Sequence, residues 1–143
     1  MFATFPKFTR LTLADREEYE SYIKNFPPIG DIAFPSLMIW WNSLGGLKVS
    51  RLNGNLVISY WLPGDEELSG LSLVGIRNID ESICTIFDYL SDNNELPRLV
   101  NIPDFVVQNI QYPELFRFRV AGSADEYLLA LDKFANIDTM PQL

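Results

Sequence analysis

An Asn-Gly pair near the middle of the chain constrains the fold more than any other feature of the sequence. Asn53-Gly54 separates two runs of apolar and β-branched residues, which predict strands over residues 47–52 and 55–62. A two-residue connection between antiparallel strands needs a positive φ angle at both central positions, and Asn and Gly tolerate that angle best. The pair therefore predicts a β-hairpin, and an antiparallel sheet has to be built around it.

Apolar side chains at helical spacing predict two helices before this hairpin. A strand over residues 7–11 leads to Thr12, which forms a capping-box pattern with Asp15 at the start of the first helix. The apolar stripe of that helix ends before Pro27-Pro28 and consists of Tyr19, Tyr22, Ile23 and Phe26. Asp31 is the predicted cap of the second helix, whose stripe comprises Phe34, Leu37, Met38 and Trp41.

The elements that follow the hairpin complete the prediction of the fold class. A strand over residues 70–75 precedes a helix over residues 79–90, a short strand over 98–102, a helix that begins at Pro103, and a strand over 116–120. Residues 126–131 fit either a last strand or part of a helix. We predict a single α/β (α+β) domain over residues 1–143, with a mixed, mostly antiparallel sheet, at least one right-handed crossover and about four flanking helices.

Charge and residue types exclude several classes of site. The chain carries 11 basic and 19 acidic residues, a net charge of −8, which argues against direct binding of nucleic acid. It contains no histidine, which excludes Ser-His and Cys-His catalysis and imidazole metal sites. Cys84 is the only cysteine and falls at an apolar helix position, which predicts a buried thiol and a reducing, cytoplasmic location. No apolar run approaches the roughly 20 residues that a membrane-spanning helix needs.

The order of strands and helices is that of the GNAT acyltransferase fold, and several segments resemble one group of related proteins. The matching segments run along nearly the whole chain and comprise Phe8 to Thr12 with Asp15, Asp31-x-x-Phe34-x-x-Leu37-x-x-Trp40, Asn53 to Tyr60, Val74-Gly75, Ile102-Pro103-Asp104, and Asp125-Glu126-Tyr127 with Leu131 to Ile137. On these residues the chain resembles the N-terminal half of the phosphatidylglycerol lysyltransferase C-terminal-like family, which is related to Fem-type aminoacyl transferases. It departs from the family after Ile137, where a Lys/Arg-rich segment should begin and residues 138–143 contain no basic residue.

The resemblance implies the non-catalytic half of a two-part transferase. Complete family proteins pair two GNAT-like halves, and the second half is the one expected to hold the donor site and the catalytic groups. We therefore expect no catalytic, cofactor-binding or metal-binding residue in this chain, which would pack against the second half. Residues 125–143 then form either the end of this domain or the start of the absent half. The alternatives are a freestanding protein-interaction or dimerisation module with a degenerate GNAT fold and a small CoA-dependent acetyltransferase.

The resemblance also implies where a cofactor would bind if the chain were an acetyltransferase. GNAT enzymes hold the cofactor pyrophosphate on backbone N–H groups where the fourth strand meets the next helix, here residues 74–81. Glycines let the main chain approach the phosphates, and the helix N-terminus adds positive potential. Gly75 is the only glycine of this junction, and Asp80 and Glu81 in the first helical turn would repel phosphates, with Arg77 as the contrary feature. We expect no acyl-CoA binding there.

Three aromatic residues are the predicted interface. Trp40 and Trp41 point about 100° apart on one helix, so both cannot face the same core, and one is expected at a surface that a partner covers. Tyr127 lies in the C-terminal segment, the other stretch expected to expose apolar surface. The expected partner is the second GNAT-like half or another protein, or a second copy of the chain in a homodimer.

Overall fold

The computed structural model describes residues 1–27, 30–41, 46–61, 63–64, 66 and 69–119, with only the backbone for Asp31, Trp40 and Trp41. Its four strands form one antiparallel sheet in chain order: β1 (Thr9–Arg10), β2 (Lys48–Leu52), β3 (Asn55–Tyr60) and β4 (Gly70–Val74). The predicted hairpin is confirmed, because Asn53 and Gly54 have φ angles of 53° and 81° and place Leu52 opposite Asn55. Strand β3 is one of the two inner strands of this sheet and is almost entirely buried.

Four α-helices accompany the sheet in the described residues: α1 (Arg16–Ile23), α2 (Phe34–Ser36), α3 (Ile79–Asp92) and α4 (Asp104–Gln108). Short 3-10 turns cover Leu13–Asp15, Gly30–Ile32 and Pro113–Leu115, and a π-helical turn over Leu37–Trp41 extends α2. A four-stranded antiparallel sheet with these helices confirms the predicted α+β class. No helix in the described ranges is long and apolar enough to cross a membrane.

The starts of the first two helices show where sequence signals hold and where they fail. The capping box is present, with the Thr12 N–H donating to Asp15 Oδ2 at 2.8 Å, although a 3-10 turn intervenes before α1. The prediction that Asp31 caps the second helix is wrong, because the N-cap position is Ala33. Ala33 adopts an extended backbone and Pro35 occupies the first turn, where the missing N–H of proline costs no hydrogen bond.

Helix α3 packs on the face of the sheet that carries Ser59 and Asn55. Its buried side chains follow helical spacing and include Ile79, Ile83, Ile86 and Leu90. Ser82 Oγ also accepts hydrogen bonds from Asn53 Nδ2 at 3.0 Å and Asn55 Nδ2 at 3.3 Å, which ties the helix to the hairpin. Cys84 lies one residue past Ile83, about 100° around the helix, and is exposed, so the prediction of a buried thiol is wrong.

Helix α1 covers the opposite face. Strand alternation places Tyr60 on that face, and Tyr60 lies beside the fully buried Tyr19 of α1. The Tyr19 hydroxyl donates to the Ile32 carbonyl at 2.7 Å, and its ring lies 5.8 Å from that of Phe34. Burial raises the pKa of Tyr19 above its ordinary value, and Tyr60 raises it further. The predicted stripe of the first helix therefore forms part of the core.

The segment after α3 contains less strand than the sequence predicts. Of residues 98–102, only Leu99 bridges β4, in parallel with Leu71, and the Val100 N–H donates to the Leu71 carbonyl at 2.9 Å. The strand predicted over residues 116–120 does not form through residue 119. Phe116 packs edge-on against Phe87 of α3 instead, with 6.1 Å between the ring centroids. Its apolar partner is therefore a helix and not a neighbouring strand. The prediction for residues 126–131 lies outside the described residues.

Candidate functional site

The predicted interface falls largely on residues that the structure does not describe in full. The backbone of Trp40 and Trp41 forms the end of the π-helical turn Leu37–Trp41, but their side chains lie outside the described part. Tyr127 also lies outside it. The neighbouring Ile39 is described and is 65% exposed, so the same turn presents a large apolar side chain to solvent.

The junction between β4 and α3 is where the sequence places a possible phosphate loop, and the side chain of Asn55 occupies it. Asn55 Nδ2 donates to the Arg77 carbonyl at 2.6 Å, and the Arg77 N–H donates to Asn55 Oδ1 at 3.1 Å. One carboxamide thus satisfies a donor and an acceptor of the loop backbone. Asn55 is 1% exposed, so these bonds form in the interior, where an unpaired polar group would be costly.

The only glycine of the junction, Gly75, leaves the space into which the Asn55 side chain packs. Gly75 has a φ angle of +156°, and a Cβ built on it would lie 2.0 Å from Asn55 Oδ1. In a phosphate loop a glycine makes room for the ligand. Here the space that a side chain would fill is taken by a protein amide, and the Arg77 N–H already has its acceptor.

The Asp80 carboxylate in the first turn of α3 is engaged in hydrogen bonds within the protein. The Asp80 carboxylate accepts the backbone N–H groups of Gln111 and Tyr112 at 2.8 Å and 2.9 Å. This bond pair holds the segment after α4 against the start of α3. The carboxylate also complements the positive end of the helix dipole, so the helix start is compensated by the protein itself.

Arg77, the feature that favoured phosphate binding in the sequence, packs along the hairpin. A Cβ built on Gly54 would lie 3.0 Å from Arg77 Cδ and 3.4 Å from Nη1, so the side chain runs over the turn. The junction, Asn55 and the hairpin turn therefore form one packed unit. Its chemistry is that of a structural connection, and the described residues contain no group of three or more metal-ligating side chains.

A cleft of about 1100 Å³ opens at the other end of the same sheet face. One wall is a row across the first three strands, in which Arg10 lies opposite Lys48 and Lys48 lies opposite Ser59. The other walls come from the end of β3 and from the end of α3 with the loop that follows it, and include Trp61, Tyr89 and Leu96. The cleft combines two exposed cations with aromatic and apolar surface.

Sequence reasoning missed both Asn55 and the Arg10–Lys48 pair as site residues. Asn55 sits at the first position of a strand, where nothing in the sequence links it to residue 77. The Asn-Gly turn fixes which β3 residue faces Lys48, but no local signal fixes the pairing of β1 with β2. Both sites depend on contacts between residues that are 22 and 38 positions apart, respectively.

Comparisons of this chain with protein-family models, with curated proteins and with solved structures found no match.

Proposed function

We propose that this chain is the non-catalytic N-terminal half of a tandem GNAT-like aminoacyl or acyl transferase, packed against a second half that carries the catalytic groups. The observation that carries the proposal is the junction between β4 and α3, where the resemblance places a phosphate loop. Here the Asn55 carboxamide bonds to the N–H and the carbonyl of Arg77, and the Asp80 carboxylate accepts the N–H groups of Gln111 and Tyr112. A domain that had kept the fold and lost the cofactor would have such a junction.

The order of elements supports the GNAT-like part of the proposal. Two helical segments precede the β2–β4 meander, and α3 then connects β4 to a residue that pairs with it in parallel, Leu99. This is the order that the resemblance implies, including a crossover between parallel neighbours. It supports family membership through topology and adds nothing about the chemistry of a second half.

Exposed apolar side chains support a partner surface. Ile39, at the end of the second helical segment, is one such residue. Three others are also more than half exposed: Tyr112, Leu115 and Phe118. Apolar side chains that are exposed together on a surface are typical of regions that a partner covers, and these residues are our candidates for such a region. The proposed partner is the second GNAT-like half, and the proposed location is the cytoplasm, where a single free thiol such as Cys84 is stable.

The test begins with the source gene read beyond the codon for Leu143. If it encodes a second GNAT-like half, hydrogen exchange of the continuous protein is compared with that of residues 1–143 alone. We expect slower exchange at residues 34–41 or 112–118 in the continuous protein. A stop codon directly after Leu143, or unchanged exchange at both segments, would overturn the proposal, and a homodimer that protects them without a second half would favour a freestanding module.

Acetyl-CoA provides a second test of the non-catalytic assignment. A ligand that binds only the folded state raises thermal stability, by about 2.7 kcal/mol at a hundredfold excess over its Kd. We expect no rise in the melting temperature of residues 1–143 with acetyl-CoA, because the Arg77 N–H already donates to Asn55 and the carboxylates in the first turn of α3 would repel phosphates. A concentration-dependent rise that disappears in Arg77→Gln would instead support a CoA-dependent acetyltransferase.

A further inference from the structure

We propose that the cleft at the end of the sheet binds a small organic anion, whose carboxylate or phosphate contacts Arg10 and Lys48 and whose flat apolar part lies against Trp61 and Leu96. The site lies at the end of α3 opposite to the junction discussed above. It does not depend on the proposed transferase assignment, since it rests on the residues of this domain alone.

Arg10 and Lys48 are neighbouring cations on one wall of the cleft. Arg10 and Lys48 are directly opposite in the β1–β2 register, and both side chains are exposed and line the cleft. Like charges at directly opposite positions of an antiparallel pair repel each other. Neither residue belongs to an ion pair in the part of the chain that the structure describes. An anion between them would remove the repulsion.

Contacts with the backbone position the side chains of Arg10 and Arg98. The guanidinium of Arg10 lies over Gly46, since a Cβ built there would be 3.8 Å from both Arg10 Cζ and Nη2. Gly46 has a φ angle of +92°, a conformation that favours glycine and leaves this space to the arginine. Arg98, a third cation of the cleft, donates to the carbonyls of Glu66 and Ser69, which also line it.

The other side of the cleft exposes apolar and aromatic side chains. Trp61 is 57% exposed and Leu96 is 76% exposed, although both line the same cleft. Behind them Tyr89 is held by Phe5, whose ring lies edge-on at 5.0 Å, and Phe5 in turn contacts Phe8 at 6.0 Å. Tyr89 and Phe8 also line the cleft, so its aromatic side is supported from within the protein.

The end of α3 does not cancel the attraction for an anion. Its last carbonyls carry partial negative charge, but those of Tyr89 and Leu90 accept the backbone N–H groups of Asn93 and Glu95, and Asn93 Nδ2 also donates to Tyr89. Among the described residues, the charged side chains that line the cleft are three cations, Arg10, Lys48 and Arg98, and two carboxylates, Glu66 and Glu95. The described lining therefore carries more positive than negative charge, in a chain whose net charge is −8.

Size and charge together select a small molecule over a nucleic acid. Sites for small ligands commonly enclose about 300–1,000 Å³ and combine apolar walls with a few polar groups. The cleft is of that order, and the described residues that line it include only three cations. A nucleic-acid surface needs a longer run of cations, which the acidic composition of this chain does not favour.

The test uses two fluorescent probes that differ in charge. 1-Anilinonaphthalene-8-sulfonate is a flat anion, and N-phenyl-1-naphthylamine is its uncharged counterpart. We expect saturable sulfonate binding that weakens about tenfold or more in Arg10→Gln/Lys48→Gln, because charge-assisted contacts are lost. Binding of the uncharged probe should be unchanged in that variant, which also shows that the cleft remains folded. Trp61→Ala should weaken both probes.

A matched variant controls for net charge. Lys24→Gln/Arg117→Gln removes one lysine and one arginine that are exposed and do not line the cleft, so it changes the total charge equally. It should bind the sulfonate as the unmodified chain does. Equal losses in the two double variants, or no loss in either, would overturn the proposal. Competition by benzoate and by phenyl phosphate then identifies the preferred head group, and failure of both to displace the sulfonate would also count against the site.

Discussion

The carboxamide of Asn55 lies so close to Gly75 that a Cβ built on the glycine would fall 2.0 Å from Oδ1 and 2.5 Å from Cγ. The same carboxamide bonds to the N–H and the carbonyl of Arg77. Gly75 and Asn55 therefore define the junction between β4 and α3 as a pair, since the asparagine side chain occupies the space that a larger residue at position 75 would need. This relationship separates a structural junction from a cofactor loop and leads to the first prediction.

Gly75→Ala should destabilise the fold by about 3 kcal/mol, because it combines a clash inside a packed junction with a strained backbone conformation. The free energy of urea unfolding measures this. Gly64→Ala is the matched control, since Gly64 has a φ angle of +81° but no atom within 4 Å of a built Cβ, and should cost only about 1 kcal/mol. Equal costs at the two positions would show that Asn55 does not crowd Gly75.

Asp80→Asn should destabilise the fold by about 1.5 kcal/mol. The substitution replaces a carboxylate that accepts two backbone N–H groups, and charge-assisted bonds of this kind are the stronger ones. Glu81→Gln removes the same charge from the same turn, but Glu81 is exposed, so its effect should stay within about 0.5 kcal/mol. Urea unfolding of both variants tests the difference, and similar values would mean that only the helix dipole matters.

Tyr19→Phe should change how stability depends on alkaline pH. In the folded state burial raises the pKa of Tyr19 above its ordinary value of 10.0, so above that pH the unfolded chain loses the proton while the folded one keeps it. The contribution of Tyr19 to the free energy of unfolding is fully present below about pH 10. It falls by up to about 1.4 kcal/mol per pH unit as the pH rises further. The variant lacks this loss.

The same substitution also removes the bond to the Ile32 carbonyl, which should cost about 1 kcal/mol at neutral pH. The stability difference between Tyr19→Phe and the unmodified chain should therefore shrink to about zero near pH 11. Urea unfolding at about pH 7 and at about pH 11 measures it. A difference that is constant across this range would contradict the raised pKa of Tyr19.

Cys84 should react in the folded protein with a thiol reagent such as 5,5′-dithiobis(2-nitrobenzoate). Its side chain is exposed on α3, so modification does not require local unfolding. We expect a rate within about tenfold of that in urea, with Cys84→Ser as the unreactive control. A much slower reaction that accelerates only in denaturant would place the thiol in the core, as helix-face reasoning from the sequence predicted.

Local signals in the sequence were sufficient where the physical cause is local. The positive φ angles of Asn53 and Gly54, the capping box of Thr12 and Asp15, and the apolar stripe of α3 depend on residues close in the chain. The same reasoning failed for Phe116 and Cys84. An alternating or apolar pattern indicates that a residue can be buried. Whether it is buried, and which residue it packs against, depends on its partner in the fold, such as Phe87 for Phe116.

The sequence by itself determined an antiparallel hairpin, amphipathic helices and an α+β domain without histidine chemistry, because these follow from backbone conformation, side-chain periodicity and residue types. Only the tertiary structure decided that Asn55 fills the junction at Gly75 and that Arg10 lies beside Lys48 on one wall of a cleft. The reason is that strand register and side-chain contacts between distant segments are selected by the burial of the whole core, which no local stretch of sequence encodes.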